Sequence, residues 1–264
     1  MSPIGVLGAG SWGTALAAHF ADAGQRVVLW CRNADLAERL RTEGCNSEYL
    51  PGARLPDSLS VSSDLAEVAC LDRILVVVPS HGFREVLHEF LRTRDSDASL
   101  SVVSATKGIE TETLARMSQV VFEEGVAARI DVGFAVLSGP TFAAELADGL
   151  PSAAVIASED VELAAALRGD LSTPTLRLYS SSDVAGVEVG GTAKNVIAIA
   201  AGIVVGSQYG HNTVAALITR GLHEITRLGV ACGGNARTLS GLAGLGDLVL
   251  TCTGDLSRNR QTGV

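Results

Sequence analysis

Ile4-Gly5-Val6-Leu7-Gly8-Ala9-Gly10-Ser11-Trp12-Gly13 is the stretch on which the reading of this chain turns. Ile4–Leu7 is a short apolar run that predicts a buried strand, and Trp12–Ala23 has helical spacing. Between them stands the pattern G-x-G-x-x-G. The pattern alone is common, but between a strand and a helix it has a mechanism. Gly8 permits the tight turn, Gly10 lets the backbone approach a pyrophosphate, and Gly13 lets helix and strand pack closely. The helix start adds free N–H groups and partial positive charge, which suit phosphates. The plainer alternative is an ordinary strand–helix turn.

The same alternation continues outward. Val27–Trp30, Ile74–Val78, Leu100–Ser104 and Phe134–Leu137 read as buried parallel strands. Leu36–Thr42, Phe83–Arg92 and Thr113–Glu123 read as the helices between them. This predicts an α/β fold with a doubly wound parallel sheet, Rossmann-like, with helices on both faces. Ala153–Ala157 and Leu176–Tyr179 extend the sheet at its far edge. After Ser180 the texture changes. Glu188–Gly206 is rich in small and apolar residues without a turn signal, and Val214–Leu228 has helical spacing. A boundary near Ser180–Asp183 divides the chain into a dinucleotide-binding domain, 1–182, and an all-helical substrate domain, 183–264.

Composition narrows the classes of function. The chain has 264 residues, 47% of them apolar, and its 29 glycines sit singly between apolar runs. The formal net charge is −9, which argues against a nucleic-acid partner. Five cysteines without a C-x-x-C pair fit free thiols in a reducing compartment, and no histidine has metal-ligand spacing, so no metal is expected. The start MSPIGVLGAG runs directly into a strand rather than a charged-then-apolar leader. The apolar stretch Val196–Val205 is about half a membrane span. The expectation is a soluble, cytoplasmic protein without stable membrane insertion.

Several residues carry candidate chemistry. The second strand of such a fold ordinarily ends in an acid for the ribose of NAD. Here Leu29-Trp30-Cys31-Arg32-Asn33 has none. Arg32 either faces a 2′-phosphate, which favours NADP over NAD, or is a loop arginine in solvent. Lys107 follows a strand end, where an open parallel sheet meets its ligand; the alternative is a surface lysine. Lys194 is the more telling. Its helical neighbours Val187, Gly190, Gly191, Ile197, Ala198 and Ala201 are small or apolar, so its ammonium sits on an inward face. Burial lowers such a pKa and makes a good acid–base group, unless the side chain reaches out past the helix edge. Asp247 and Thr251 share one helical face, and Asp247 is the best acid to balance Lys194; it also suits a helix cap. Ser257-Arg258-Asn259 offers donors for a phosphate, or forms a polar loop.

Taken in order, GAGSWGTALA, LVVVPSH, ATKG, SGPTFAAELA, GTAKNVIAIAAG, ALITRGL, GLAGLGDLVLTCT and SRNR resemble the bacterial NAD(P)-dependent glycerol-3-phosphate dehydrogenase family over essentially the whole chain. The resemblance implies reduction of dihydroxyacetone phosphate to sn-glycerol 3-phosphate, a phospholipid precursor, with the site between the two domains and a homodimer. It implies cofactor contacts from Ser11, Trp12, Arg32, Lys107, Ala143 and Arg258. It implies substrate contacts from Lys107, Gly139, Thr141, Lys194, Asp247, Ser257, Arg258 and Asn259, with Lys194 as proton donor and acceptor. The loop Gly206–Asn212 departs from many members. Members also continue past the position of Val264 through further helices, including a glutamate on the cofactor, so the helical domain is expected to lack part of its wall. Two other readings are a related β-hydroxy acid dehydrogenase, which needs a carboxylate site, and a nucleotide-sensing regulator, which needs no buried lysine.

Overall fold

The computed structural model describes residues 2–94 and 99–264. Its strands are β1 (Ile4–Leu7), β2 (Val27–Trp30), β3 (Cys45–Asn46), β4 (Leu50–Arg54), β5 (Ser60–Ser62), β6 (Arg73–Val76), β7 (Leu100–Ser104), β8 (Val132–Ser138), β9 (Ser152–Ala157) and β10 (Leu176–Ser181). Eight of them form one sheet in the order β10-β9-β8-β7-β6-β1-β2-β5, and β3 pairs with β4 in a separate hairpin. From β5 to β8 every pairing is parallel. The chain leaves β1 towards β2 and later returns to β6 on the other side of β1. That reversal of winding opens a crevice at the carboxyl ends of β1 and β6, where such sheets take ligands.

Helices cover both faces. On one lie α1 (Ser11–Asp22), α2 (Ala34–Glu43), α6 (Ala143–Ala147) and α7 (Val161–Leu171). Leu16, Phe20, Leu40, Leu146 and Leu171 join Val6, Leu29 and Ile156 in one apolar core. On the other face lie α3 (Ala66–Ala69), α4 (Ser80–Thr93) and α5 (Met117–Ala128), whose Val68, Phe83, Phe90 and Val120 pack with Leu7, Ile74 and Val102. Burying a side chain of this size stabilises by about 1.5–3 kcal/mol.

Two differences from the sequence reading have physical causes. Thr113–Glu123 is not one helix. Residues 109–116 form a tight loop, with an Ile109–Arg116 bridge, Glu110 N donating to the Ala115 carbonyl at 2.9 Å, and Leu114 at φ 60°. Thr113 Oγ1 donates to Glu110 and accepts from Ala115 N, a local alternative to helical bonding, so α5 starts only at Met117. The far edge is also reversed: β8 and β9 pair antiparallel, Ser138 opposite Val155, and β10 follows β9 in parallel.

Beyond Asp183 the described residues contain helices only: α8 (Val184–Gly206), α9 (His211–Ala231), α10 (Ala236–Leu239), α11 (Asp247–Thr253) and α12 (Arg258–Gly263), with a π-helical turn over Leu242–Gly246. Ala198, Ala201, Ile225, Leu239 and Leu248 form their core. Val184, Val187 and Ala243 pack instead against Val136 and Ala157 of the sheet. At 23 residues α8 exceeds the apolar stretch read from the sequence, and by length and composition it could cross a membrane. Val196, Ile203, Leu228, Val249 and Leu256 of this layer stand exposed.

Candidate active site

Gly8 holds φ 116°, and a Cβ there would meet the Val77 carbonyl at 2.6 Å. A Cβ on Gly13 would lie 1.9 Å from the Gly8 carbonyl, so this glycine lets α1 close on β1. Gly10 is the opposite case, with nothing within 4 Å of its Cβ position. It opens onto a cleft of about 690 Å³ that Ser11 and Trp12 also line. No side chain caps the N-terminus of α1, and the indole Nε1 of Trp12 is buried without a protein partner. A bare loop, unclaimed helix N–H groups and an orphaned donor at one wall fit the pyrophosphate of a dinucleotide.

The opposite wall is built on α8. A Cβ on Gly190 would meet the Ala243 carbonyl at 2.6 Å, and one on Gly191 would meet Ser138 Oγ at 2.8 Å. These two glycines seat the helix against β8 and the π-helical turn, and Lys194 follows one turn later. Lys194 is 6% exposed. Its Nζ donates to Asp247 Oδ1 and to Thr251 Oγ1 at 2.7 Å. Thr251 in turn donates to the Asp247 carbonyl at 2.6 Å. Lys107, from the loop after β7, donates to Asp247 Oδ2 at 2.6 Å and to the Gly139 carbonyl at 3.2 Å. The expected approach of Asp247 to Lys194 is therefore present, and Lys107 shares the same carboxylate.

Two ammonium groups and one buried carboxylate leave an excess positive charge. Burial first, and then the Lys107 ammonium, push the pKa of Lys194 down from 10.5 to about 7, against the pull of Asp247. An ammonium has three N–H donors. Two of those on Lys194 are held by Asp247 and Thr251, so one remains for a ligand in the cleft. Behind them, burial pushes the Cys252 thiol up to about 11, too high for a reactive thiolate at neutral pH.

Thr141, Ala143, Ser257, Arg258 and Asn259 line the same cleft as Ser11, Trp12, Lys107, Lys194 and Thr251. Asn259 Nδ2 donates to Asn195 Oδ1 at 2.8 Å. Ser257 caps α12, accepting from Arg260 N, which is a structural use beside the donor role expected of it. Gly8, Gly13, Gly139 and Asp247 lie behind the walls. Arg32 is not among the lining residues; it stands exposed beyond β2, 3.3 Å from Glu85. Tyr49, Val78, Pro79, Thr106, Phe142 and Asn195 line the cleft without having been singled out. For Val78, Pro79 and Thr106 the signal was available, since they follow β6 and β7 at the carboxyl edge. Among the described residues no His, Cys, Asp and Glu group could hold a metal.

A glycine loop at the switch of a doubly wound sheet, facing a buried lysine on a helical layer, is the layout of a two-domain, dinucleotide-dependent oxidoreductase. The N-terminal family description, NAD-dependent glycerol-3-phosphate dehydrogenase N-terminus, matches residues 3–164, and its C-terminal counterpart matches residues 183–264. The chain belongs to the NAD-dependent glycerol-3-phosphate dehydrogenase family. A relative from Acidobacterium capsulatum, named glycerol-3-phosphate dehydrogenase, NAD(P)+, is 48% identical over 100% of this chain and 79% of its own length. One of the same name from Nitrosomonas eutropha is 52% identical over 99% of this chain and 78% of its own. The crystal structure of glycerol-3-phosphate dehydrogenase from Coxiella burnetii superposes with a TM-score of 0.93 at 42% identity, covering 99% of this chain and 79% of that one. The β-hydroxy acid and sensor readings are not favoured by these relatives.

Proposed function

We propose that this chain interconverts dihydroxyacetone phosphate and sn-glycerol 3-phosphate with NAD(P)H or NAD(P)+, as an enzyme of phospholipid precursor supply. The observation that carries the reading is the buried Lys194, sharing Asp247 with Lys107 in the cleft that the glycine loop borders. When bound, the nicotinamide supplies the hydride. Gly10, Ser11, Trp12 and Ala143 hold the dinucleotide on the loop that Gly8 and Gly13 shape from behind, and Arg32 meets the 2′-phosphate when the cofactor is NADP.

The chain's own residues do the rest. Lys194 gives a proton to the substrate oxygen that becomes an alkoxide. A pKa near the working pH is what an acid–base group requires. Lys107 adds positive charge where negative charge develops. Asp247 and Thr251 hold the Lys194 ammonium at one angle. Arg258, Asn259 and Ser257 hold the phosphate, with Thr141 beside them and the Gly139 carbonyl holding Lys107 from behind, so binding energy remote from the reacting carbon is spent on orientation. In reduction Lys194 must arrive protonated, and in oxidation neutral. Reduction therefore loses rate as pH rises through about 7, and oxidation gains it. The protein acts in the cytoplasm as a homodimer.

Steady-state turnover of NADH and NADPH with dihydroxyacetone phosphate tests the reading. Lys194→Ala should lower kcat by about 10²–10⁴ while cofactor affinity stays. A variant within a few-fold of the parent would remove Lys194 from the chemistry.

A further inference from the structure

The reaction has no use for a second buried charge on α8. Glu188 is 7% exposed, and its carboxylate accepts three hydrogen bonds from outside its own helix. Ser118 N and Ser118 Oγ donate at 2.7 Å each, and Arg116 Nη1 at 2.8 Å. Ser118 lies in the first turn of α5, where the leading N–H groups need acceptors. The residue that begins this helix, Arg116, supplies no side-chain cap. A carboxylate from α8 takes that place, where the helix dipole also favours it.

What lies at the other end of this contact gives it meaning. Lys107 and Ser118 bound a single braced loop, closed by the Ile109–Arg116 bridge and by the Glu110 carboxylate on Arg84 at 2.7 and 2.8 Å. On α8, Glu188 and Lys194 are six residues apart, or about 9 Å along the axis. Glu188 thus ties the helix that carries one ammonium to the loop that carries the other.

We infer that Glu188 is a positioning residue: by capping α5 from α8 it fixes the separation of Lys194 and Lys107, and so their sharing of Asp247. The inference rests on the reading of Lys194 as the acid–base group. Without the cap the root of α8 loosens, water reaches Lys194, and its ammonium regains solvation. The groups that face Lys194 stay in place: Asp247 and Cys252 from α11, Lys107 from the β7 loop, and Arg258 of α12 across the same cleft. Glu188 does not touch Lys194, so any effect on the lysine travels through position.

Glu188→Gln and Arg116→Met, each in the full chain, test this. The measurements are melting temperature, NADPH affinity by fluorescence titration, and kcat across the pH range. Glu188→Gln should lower kcat roughly ten- to a hundredfold at neutral pH, the usual effect of misplacing a reacting group. The midpoint of its pH profile should rise by about one unit or more as Lys194 is rehydrated, with NADPH affinity within twofold of the parent. Arg116→Met removes one bond of the three and should shift the midpoint the same way by less. A lower melting temperature with the parent's kcat and midpoint overturns the inference. If Glu188→Gln does not fold, an unshifted midpoint in Arg116→Met overturns it as well. Parent-like turnover in Lys194→Ala would instead sink the acid–base reading, and the two failures are distinguishable.

Discussion

Replacing Lys194 by methionine removes a charge and keeps most of the side chain's reach. In the unfolded chain this ammonium titrates near 10.5, and in the fold at about 7. Between those values the unfolded state holds a proton that the folded state does not, so the parent's stability rises with pH across the window. Below it both states are protonated and the penalty is constant. Integrating the two titration curves from about pH 6 to about pH 9 gives the parent a few kcal/mol from this one group. The absolute effect of the substitution is a contest. The relieved penalty at low pH is about 4–5 kcal/mol. Against it stands the loss of one of Asp247's two partners, and breaking a buried pair costs about 3–5 kcal/mol. The pH dependence avoids the contest, because packing terms are the same at both ends. Urea melts of parent and Lys194→Met at the two pH values should show the variant's relative stability falling by a few kcal/mol as pH rises. A difference that stays flat would show that Lys194 is not titrating in the fold as its burial requires.

Arg258→Ala should raise the KM for dihydroxyacetone phosphate far more than that for the cofactor, and should matter little with unphosphorylated dihydroxyacetone; an unchanged substrate KM removes it from the phosphate site. Arg32→Ala should weaken NADPH roughly tenfold and NADH little, as loss of a charge-assisted hydrogen bond implies; equal losses for both cofactors would rule out the 2′-phosphate role. Gly10→Val should fold like the parent, since nothing lies within 4 Å of its Cβ position, yet fail to bind NADH in a fluorescence titration. Gly13→Ala should lower the melting temperature, because its Cβ would meet the Gly8 carbonyl at 1.9 Å; the same result from both variants would contradict the geometry of the loop.

The parts legible in the sequence are those set by local patterns. Strands β1, β2, β6 and β7 are short and mostly apolar, and the glycine loop has fixed spacing. Lys194 betrayed itself by the small residues around it on one helix. The hidden parts depend on partners far away in the chain. Lys107 gave no sign that it meets Asp247, 140 positions on. Nothing local marks Glu188, because Arg116 and Ser118, its partners, are some 70 residues earlier. The hairpin of β3 and β4, which brings Tyr49 to the cleft, is too short and too polar to show periodicity. The reversed pairing of β9 leaves no trace in its own residues, since a buried strand is apolar in either direction.

That reversal has a consequence for where the chain can be cut. In an all-parallel sheet each strand delivers the chain to the ligand-bearing edge, and the helix that follows runs back down. With β9 and β10 turned over, the chain leaves β10 below that edge, so α8 must climb past β8 to reach it. Its first two turns are therefore bedded on the sheet, with Val184 and Val187 against Val136 and Ala157. A cut between Ser181 and Val184, although it falls in a short connection, divides a shared core. Residues 183–264 expressed alone would bare Val184 and Val187, residues 1–182 would bare Val136 and Ala157, and the two pieces should dissolve and fold better mixed than apart.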